Sequence, residues 1–296
     1  MTYEKTHENL LVDIDGAVAT ITLNRPHAMN ALNNGLLNDY EEALAELNRG
    51  DAVRVIRLKG AGRAFSAGYD LAQGNGAGYG QRDETAPDTR GERALADFGE
   101  SGVLVEREGM RVQIERWLRI WNYRKPIIAQ VHDYCLSGGL DLLSTTDIAF
   151  AAAGTRFGHP ASRGVGIPLM LGMLPLKVGA SRTKRILFTG DLIDAEEAKE
   201  WGLVDYVVEP GELDRRVLDY CHRVALLPLD ALSVHKHVVN RWMEIMGARL
   251  GSYEGAEYDA LYHTTGAYHE FGRRIAEQGL KKALEWRDGP FKKEGA

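Results

Sequence analysis

The sequence has little cysteine, no long apolar run and no excess of positive charge. Two cysteines in 296 residues are too few for a disulfide framework, and they predict a reducing compartment. No segment approaches the ~18 consecutive apolar residues that span a bilayer, and the first residues lack the apolar core of a secretory signal. We therefore expect a cytoplasmic protein that does not insert into membranes.

The formal net charge of −6 argues against a nucleic-acid-binding surface, although a local basic patch for one phosphate group remains open. The sequence contains neither a P-loop nor a Gly-x-Ser-x-Gly elbow, which disfavours two large enzyme classes. His235 and His237 do not share a helix face, so we expect no metal site. Cys135 is either a nucleophile or a small buried residue at the end of a strand.

Alternating strand and helix patterns are the main feature that the sequence does have, and they indicate an α/β fold. Two β-rich runs joined by Asp15-Gly16 predict a hairpin over 10–23. The polar, glycine-rich segment 72–101 predicts a mobile lid or a partly disordered loop. Apolar spacing predicts helices over 30–47, 105–121, 212–226 and 232–250, and strands over 53–58, 127–131 and 147–151.

Three segments stand out in order along the chain, at 23–32, 63–71 and 125–141. They read LNRPHAMNAL, RAFSAGYDL and KPIIAQVHDYCLSGGLD. In residues, order and spacing they resemble the crotonase (enoyl-CoA hydratase/isomerase) superfamily, and the similarity continues over nearly the whole chain. The resemblance implies an α/β crotonase (ClpP/crotonase-like) spiral of ββα units. It places the core with the CoA and oxyanion sites in 1–208 and a helical trimerisation region in 209–296, so we expect a homotrimer or a dimer of trimers.

The same resemblance assigns an oxyanion hole to the backbone N–H groups of Tyr69 and Gly138. Such donors stabilise the enolate of a thioester without reorganising, and each is typically worth roughly 3 kcal/mol in the transition state. The glycines fit this role, because Gly68 permits close backbone approach and Gly138-Gly139 precedes a predicted helix. The alternative is that these glycines only permit close packing.

The resemblance also implies an acyl-CoA substrate, with coenzyme A as part of that substrate and no permanently bound cofactor. For the Lys292-Lys293 pair, a solvated terminal charge cluster is the alternative to a ligand role. The implied CoA contacts are His27, Ala28 and Met29 at the nucleotide, Ala67 and Leu71 along the pantetheine channel, Phe291 and Lys292 as a tail pair from a neighbouring subunit, and Arg25, Lys292 and Lys293 at the phosphates.

Hydratases of this family use two glutamates on opposite sides of a water. The first glutamate falls on Asp141, which keeps the carboxylate but is one methylene shorter, and misplacing a base by ~1 Å can cost on the order of a hundredfold. Asp141 is therefore either the catalytic base or a carboxylate that favours a helix first turn. The second glutamate falls on Ala161, which removes the group opposite.

Two polar residues near Ala161 have open roles. His159 acts either as a general base or as a structural hydrogen-bonding residue of the turn. Arg163 pairs with Asp141 or an acyl carboxylate, or else lies on the surface.

The leading hypothesis for function is an enoyl-CoA hydratase-type lyase that adds water to a 2-enoyl-CoA. A second hypothesis keeps the oxyanion hole but changes the outcome to hydrolysis, C–C cleavage or isomerisation of a bulky acyl-CoA or diketone. Ala161 and the apolar segment 167–176 favour its hydrolysis and C–C cleavage forms, whereas the resemblance implies that isomerases rely on the glutamate that Ala161 replaces. A third hypothesis is a non-catalytic acyl-CoA-binding protein.

Overall fold

A computed structural model describes residues 3–71 and 102–292, so the predicted loop 72–101 and Lys293 lie outside the described residues. The strands are β1 (Leu10–Asp15), β2 (Val18–Leu23), β3 (Val55–Gly60), β4 (Ile127–Val131), β5 (Tyr134–Leu136), β6 (Ile148–Ala152), β7 (Arg156–Gly158), β8 (Ile193–Asp194) and β9 (Tyr206–Val208). The helices are α1 (Asn34–Leu47), α2 (Gly102–Trp121), α3 (Gly138–Ser144), α4 (Leu174–Val178), α5 (Ala180–Thr189), α6 (Ala195–Trp201), α7 (Pro210–Val224), α8 (Leu229–Ile245), α9 (Ala248–Tyr262), α10 (Gly266–Gln278) and α11 (Leu280–Lys292), with 3-10 turns at Pro26–Ala28 and Pro160–Arg163.

The main sheet has six strands in the order β1-β2-β3-β4-β6-β9. The predicted hairpin is confirmed: β1 and β2 pair antiparallel from Leu10↔Leu23 to Asp15↔Val18, and Gly16 supplies the positive φ of the turn. The remaining strands pair in parallel, and β4 is buried at every position. Such continuous burial is typical of a parallel strand that is covered on both faces.

A second sheet has three strands in the order β5-β7-β8. Its first strand also bridges in parallel to Ser66, which donates its N–H to Tyr134 O and accepts from Leu136 N. The segment after β3 is therefore tied to the segment before α3. The mixed sheet with its many helices confirms the predicted fold class.

Helix α1 starts at Asn34, four residues later than its apolar spacing suggested. Met29 and Asn30 both adopt positive φ, which no helix continues through. The buried Asn30 side chain stabilises this turn by accepting from Arg25 N and donating to Ala61 O and Ala64 O. The side chain of Asn33 then caps the helix by accepting from Leu36 N.

The prediction of one helix over 232–250 is wrong. Helix α8 ends at Ile245 and α9 begins at Ala248, because Gly247 between them has a φ of +100°. Glycine reaches that conformation without steric cost, so the chain turns there although the apolar spacing continues.

The helices cover both faces of the main sheet. Helices α1 and α2 pack their apolar stripes into the larger core cluster, which includes Tyr40 and Trp117. On the other face α7 packs Leu213, Val217 and Cys221 against the sheet. Over the ranges 3–71 and 102–292, no helix has the length and apolar character to span a membrane.

Candidate active site

A cavity of about 1000 Å³ lies between the segments 27–31, 67–71, 136–137 and 159–167 and the last helix, α11. Its exposed rim includes His27 together with Arg63, Arg156 and Lys292, and the two arginines and the lysine place positive charge at the entrance. Its inner wall is largely apolar and includes the nearly inaccessible Val165. The cavity therefore suits an apolar chain that carries an anionic group at its outer end.

The two predicted oxyanion segments meet at this cavity. A Cβ on Gly68 would lie 2.8 Å from Ser137 Cβ and 3.1 Å from Gly138 N, so only glycine allows the approach. Leu32 donates to Gly68 O and accepts from Asp70 N, which is the pattern of a parallel bridge centred on Tyr69. The N–H of Tyr69 therefore points away from Leu32.

The start of α3 is shaped by unusual backbone. Ser137 has φ 49° and ψ −117°, a backbone conformation that residues other than glycine rarely adopt. Gly139 packs on Ser66, where a Cβ would lie 2.9 Å from Ser66 O. This close packing fixes the first N–H groups of the short helix beside Gly68.

Asp141 is 1% exposed and does not line the cavity. Its Oδ1 accepts from Met170 N at 2.9 Å, and its Oδ2 accepts from the Tyr69 hydroxyl at 3.0 Å and from Leu169 N at 3.4 Å. Burial raises the pKa of Asp141 to about 7, against the opposing effect of these hydrogen bonds. The predicted base is thus a sequestered carboxyl group that titrates near neutrality.

The side chain of Tyr69 lies between the cavity and Asp141. Tyr69 lines the cavity, and its ring packs on Gly138, where a Cβ would fall 2.6 Å from two ring carbons. Its hydroxyl accepts from Trp117 Nε1 at 2.9 Å while donating to Asp141. The resemblance implied a role for the backbone of Tyr69 alone. Sequence reasoning did not predict the hydrogen bond from Trp117, because Trp117 has the spacing of an ordinary core residue.

Comparison with known proteins identifies the family of this chain. The model of the enoyl-CoA hydratase/isomerase family matches residues 13–96 and 106–294. The chain belongs to this family. The match confirms the predicted resemblance to the crotonase superfamily, and with it the prediction that the chain is an enzyme.

Individual relatives cover most of the chain. A probable enoyl-CoA hydratase of Rhizobium meliloti is 33% identical, over 88% of this chain and 91% of the relative. A crotonyl-CoA hydratase of Syntrophomonas wolfei is 31% identical, over 96% of this chain and 98% of the relative. The crystal structure of an enoyl-CoA hydratase from Mycobacterium smegmatis superimposes with a TM-score of 0.84 at 27% identity, over 97% of this chain and 96% of that one.

Among the described residues of this family member, each carboxylate that lines the cavity is engaged in an ion pair. Asp70 pairs with Arg25 at 2.9 Å, and Asp191 pairs with Arg163 at 2.9 Å. Asp288 pairs with Arg163 and with the neighbouring Arg287. Arg163 also stacks on Phe291, 4.0 Å from the ring centroid, so the alternative that it pairs with Asp141 is wrong. Ala161, the position to which the resemblance assigned the second glutamate, also lines the cavity.

His159 lines the cavity and is 2% exposed. Its Nε2 lies 3.1 Å from Gly166 O, which fits the structural interpretation, while its Nδ1 is buried without a hydrogen-bond partner in the described part of the chain. Burial lowers the pKa of His159 to about 4, so the imidazole is neutral at pH 7. Its use as a base stays a prediction.

The predicted CoA contacts fall into two groups. Most of them line the cavity: His27, Ala28, Met29, Ala67, Leu71, Phe291 and Lys292. Phe291 and Lys292 lie on the wall of their own chain's cavity, whereas the resemblance implied a neighbouring subunit. Arg25 is outside the lining and donates to Asp70 and Ala31 O. Sequence reasoning assigned no role to the rim residues Arg63, the first residue of the motif segment 63–71, and Arg156, which lies outside the three motif segments.

Two other groups bear on alternatives that the sequence left open. Cys135 is fully buried and burial raises the pKa of its thiol, so the interpretation as a small core residue is confirmed. Away from the cavity, His7, Asp39 and Glu42 bring three ligand-type atoms within 4.8 Å of one another, and Lys5 pairs with Glu42. The absence of a metal stays a prediction.

Proposed function

We propose that this protein is an enoyl-CoA hydratase-like enzyme that adds water to a 2-enoyl-CoA. The acyl chain occupies the apolar inner wall, the thioester oxygen accepts from the N–H groups of Tyr69 and Gly138, and the CoA phosphates lie at the rim with Arg63, Arg156 and Lys292. No resident cofactor takes part, because coenzyme A enters as part of the substrate.

The observation that carries this proposal is the contact between Gly68-Tyr69 and Ser137-Gly138 at the wall of the cavity. Preorganised backbone donors are most effective where water is excluded, because they need no reorganisation as the enolate charge develops. The family membership and the hydratase names of the relatives agree with this assignment.

The test compares two glycine variants in a hydration assay with crotonyl-CoA and longer 2-enoyl-CoA esters. Gly68→Ala places a methyl group against Gly138 N at a φ of +98°, whereas Gly16→Ala strains a hairpin turn at φ +59° with no atom within 4 Å. We expect Gly68→Ala to lower kcat/KM by at least about a hundredfold, since losing one oxyanion donor costs that much. Gly16→Ala should keep wild-type kcat/KM at a temperature where it is folded.

Equal kcat/KM values for the two variants would contradict the oxyanion assignment. Wild-type protein that hydrates no ester but melts at a higher temperature with CoA esters would support the binding-only hypothesis instead. An infrared spectrum of bound ¹³C-labelled acyl-CoA adds a direct readout, because hydrogen bonding to the thioester oxygen lowers the carbonyl frequency.

A second candidate is hydrolysis or C–C cleavage of a bulky acyl-CoA or diketone. It is favoured by the cavity lining, where Ala161 replaces a carboxylate and Ile167 and Leu284 add apolar bulk. Product analysis separates the candidates, because hydration releases no free CoA and no second fragment.

A further inference from the structure

Two polar side chains interrupt the apolar inner wall of the cavity. His159 and Arg287 both line it, and they are 2% and 8% exposed. The lining residues Ala161, Val165 and Leu284 of the same wall are apolar and pack in one cluster. Ligand cavities of this kind use a small number of placed polar groups to select what binds. The pair therefore bears on which acyl chain the cavity accepts.

The hydrogen bond of His159 fixes the position of the hydrogen on its ring. Nε2 lies 3.1 Å from the carbonyl oxygen of Gly166, which can only accept, so Nε2 carries the hydrogen. Burial lowers the pKa of His159 to about 4 and the charge of Arg287 lowers it as well, so the ring is neutral at pH 7. Nδ1 then holds a lone pair, and it has no hydrogen-bond partner within residues 3–71 and 102–292. A buried acceptor of this kind is costly unless a ligand or a water supplies a donor.

Arg287 brings a donor to the same part of the cavity. Its Nε and Nη2 bond the carboxylate of Asp288 at 2.8 and 3.0 Å, which leaves Nη1 without a partner in the described part of the chain. Asp288 also pairs with Arg163 at 3.3 Å, and α11 packs against the 3-10 turn Pro160–Arg163 that follows His159. The donor and the acceptor therefore lie on neighbouring segments of the wall.

We propose that His159 and Arg287 form a subsite for a hydroxyl group on the acyl chain, so that the preferred substrates are hydroxylated 2-enoyl-CoA esters. This inference rests on the proposed function and names the class of its substrate. A hydroxyl group both donates and accepts, so it can donate to His159 Nδ1 while it accepts from Arg287 Nη1. A carbonyl or carboxylate oxygen has no hydrogen to donate and would face the lone pair of Nδ1.

The subsite selects against a plain alkyl chain as much as it selects for a hydroxyl group. A site that bonds a substrate hydroxyl rejects the analogue without it, because the polar atoms of the site are then left unpaired. Nδ1 of His159 is shielded from bulk solvent, and an alkyl chain that fills the cavity also keeps water away from it. The unsubstituted ester therefore finds no replacement for the missing bond.

The first test compares matched esters on the wild-type protein and needs no variant. A series of 2-enoyl-CoA esters of increasing chain length is prepared with a terminal methyl, hydroxyl or fluorine group. At the length that brings the group to the subsite, we expect kcat/KM of the hydroxylated ester to exceed that of the methyl ester by about tenfold. Fluorine donates no hydrogen bond and should not reproduce the preference. Hydration without a preference at any length overturns the subsite and leaves the proposed function standing.

Two substitutions at His159 separate the acceptor from the structural bond. The amide nitrogen of His159→Gln reaches about as far as Nε2, so this variant keeps a donor for Gly166 O and loses the acceptor at Nδ1. His159→Asn keeps an acceptor near Nδ1 and loses the bond to Gly166. We expect His159→Gln to lower the ratio of kcat/KM for hydroxylated over methyl esters by about three- to tenfold, and His159→Asn to retain more of that ratio. An unchanged ratio in His159→Gln would mean that His159 serves the fold alone.

Arg287→Gln should lower the same ratio by about tenfold or more, because the bond that it removes is charge-assisted. An equal loss for both classes of ester would make Arg287 a contact for CoA and overturn its place in the subsite. The matched controls are His132→Gln and Arg274→Gln, whose side chains bond Gly62 O at 2.9 Å and Glu270 at 2.7 Å and lie outside the cavity lining. Both controls should leave the ratio unchanged.

Titration calorimetry with saturated esters tests the subsite without turnover. We expect a terminally hydroxylated acyl-CoA to bind with a Kd about tenfold lower than the plain acyl-CoA of the same length, and His159→Gln to reduce this difference. If the wild type hydrates no ester but shows this preference in Kd, the subsite stands although the proposed function fails. Equal Kd values at every length, or no binding of either class, overturn the subsite.

Discussion

Burial of single side chains makes the stability of this protein depend on pH. His159 is 2% exposed, and burial lowers its pKa from 6.5 to about 4. Between these values the folded state binds fewer protons than the unfolded state, so this contribution is complete above pH 6.5 and is lost as pH falls toward 4. Burial raises the pKa of Asp141 to about 7 and that of Asp259 to about 6. These two groups act in the opposite direction, because the stability that each contributes to the folded state is lost as pH rises toward its raised pKa.

The variant His159→Gln isolates the histidine from these carboxyl groups. We compare the free energy of unfolding of the wild type with that of the variant. The advantage of the wild type should decrease by on the order of 2–3 kcal/mol as pH falls from 7 to 4.5. Urea denaturation at several pH values measures this difference. A difference that stays constant over the range would show that His159 is not buried in its neutral form.

Close packing of the segment 166–173 on helix α9 links stability to the site. Gly172 lies on the helix backbone, where a Cβ would be 2.1 Å from Ala248 O and 2.6 Å from Ser252 N. The preceding N–H groups of Leu169 and Met170 hold Asp141. We expect Gly172→Ala to lower the free energy of unfolding by about 1–3 kcal/mol or more. The added methyl group would overlap the backbone of α9, and neither that helix nor the segment 166–173 can move apart at low cost. It should also lower kcat, since Met170 moves with the segment.

Gly211→Ala is the matched control for this element. Gly211 lies in the first turn of α7, and a methyl group added there would have no atom within 4 Å, so alanine should raise the free energy of unfolding by about 0.5–1 kcal/mol. Urea midpoints of the two variants should therefore move in opposite directions. Midpoints that fall together would show that Gly172 is not specially constrained.

At the scale of the whole molecule, one face of α8 is apolar and exposed. Val234, Val238, Trp242 and Ile245 share a helical face and are 63–68% exposed in the single chain, while Leu229 and Leu232 on the opposite side are buried. Exposed apolar patches of this kind mark interaction sites. We expect this face to pack against further copies of the chain, in the predicted trimer or dimer of trimers.

Sedimentation velocity tests this expectation. The double variant Val238→Asp and Trp242→Asp should shift the protein toward a monomer, because burying two carboxylates in an apolar interface is costly. Leu11→Asp, on the exposed side of edge strand β1, should leave the assembly unchanged. A wild type that sediments as a monomer at micromolar concentration would contradict the expectation.

Local patterns determined much of this protein from the sequence alone. Asp15-Gly16 predicted the hairpin, the apolar stripe of α1 matched its buried face, and the order of the three motif segments predicted the family. These features depend on neighbours along the chain, whose periodicity the sequence displays directly. The element ends at Asn34 and Ile245 were not predictable from spacing, because positive φ values at Asn30 and Gly247 stop the helices.

Only the tertiary structure decided which polar groups are buried and which of them bond to one another. Asp141 was predicted as a base and Tyr69 as a backbone donor, yet the fold encloses the carboxyl and places the phenol between it and the cavity. Trp117 and Met170, from distant parts of the chain, donate hydrogen bonds to Tyr69 and Asp141. Arg163 pairs with Asp191 and not with Asp141. Hydrogen bonds between remote segments leave no periodic signal in a sequence, so burial and partner choice appear only once the chain is folded.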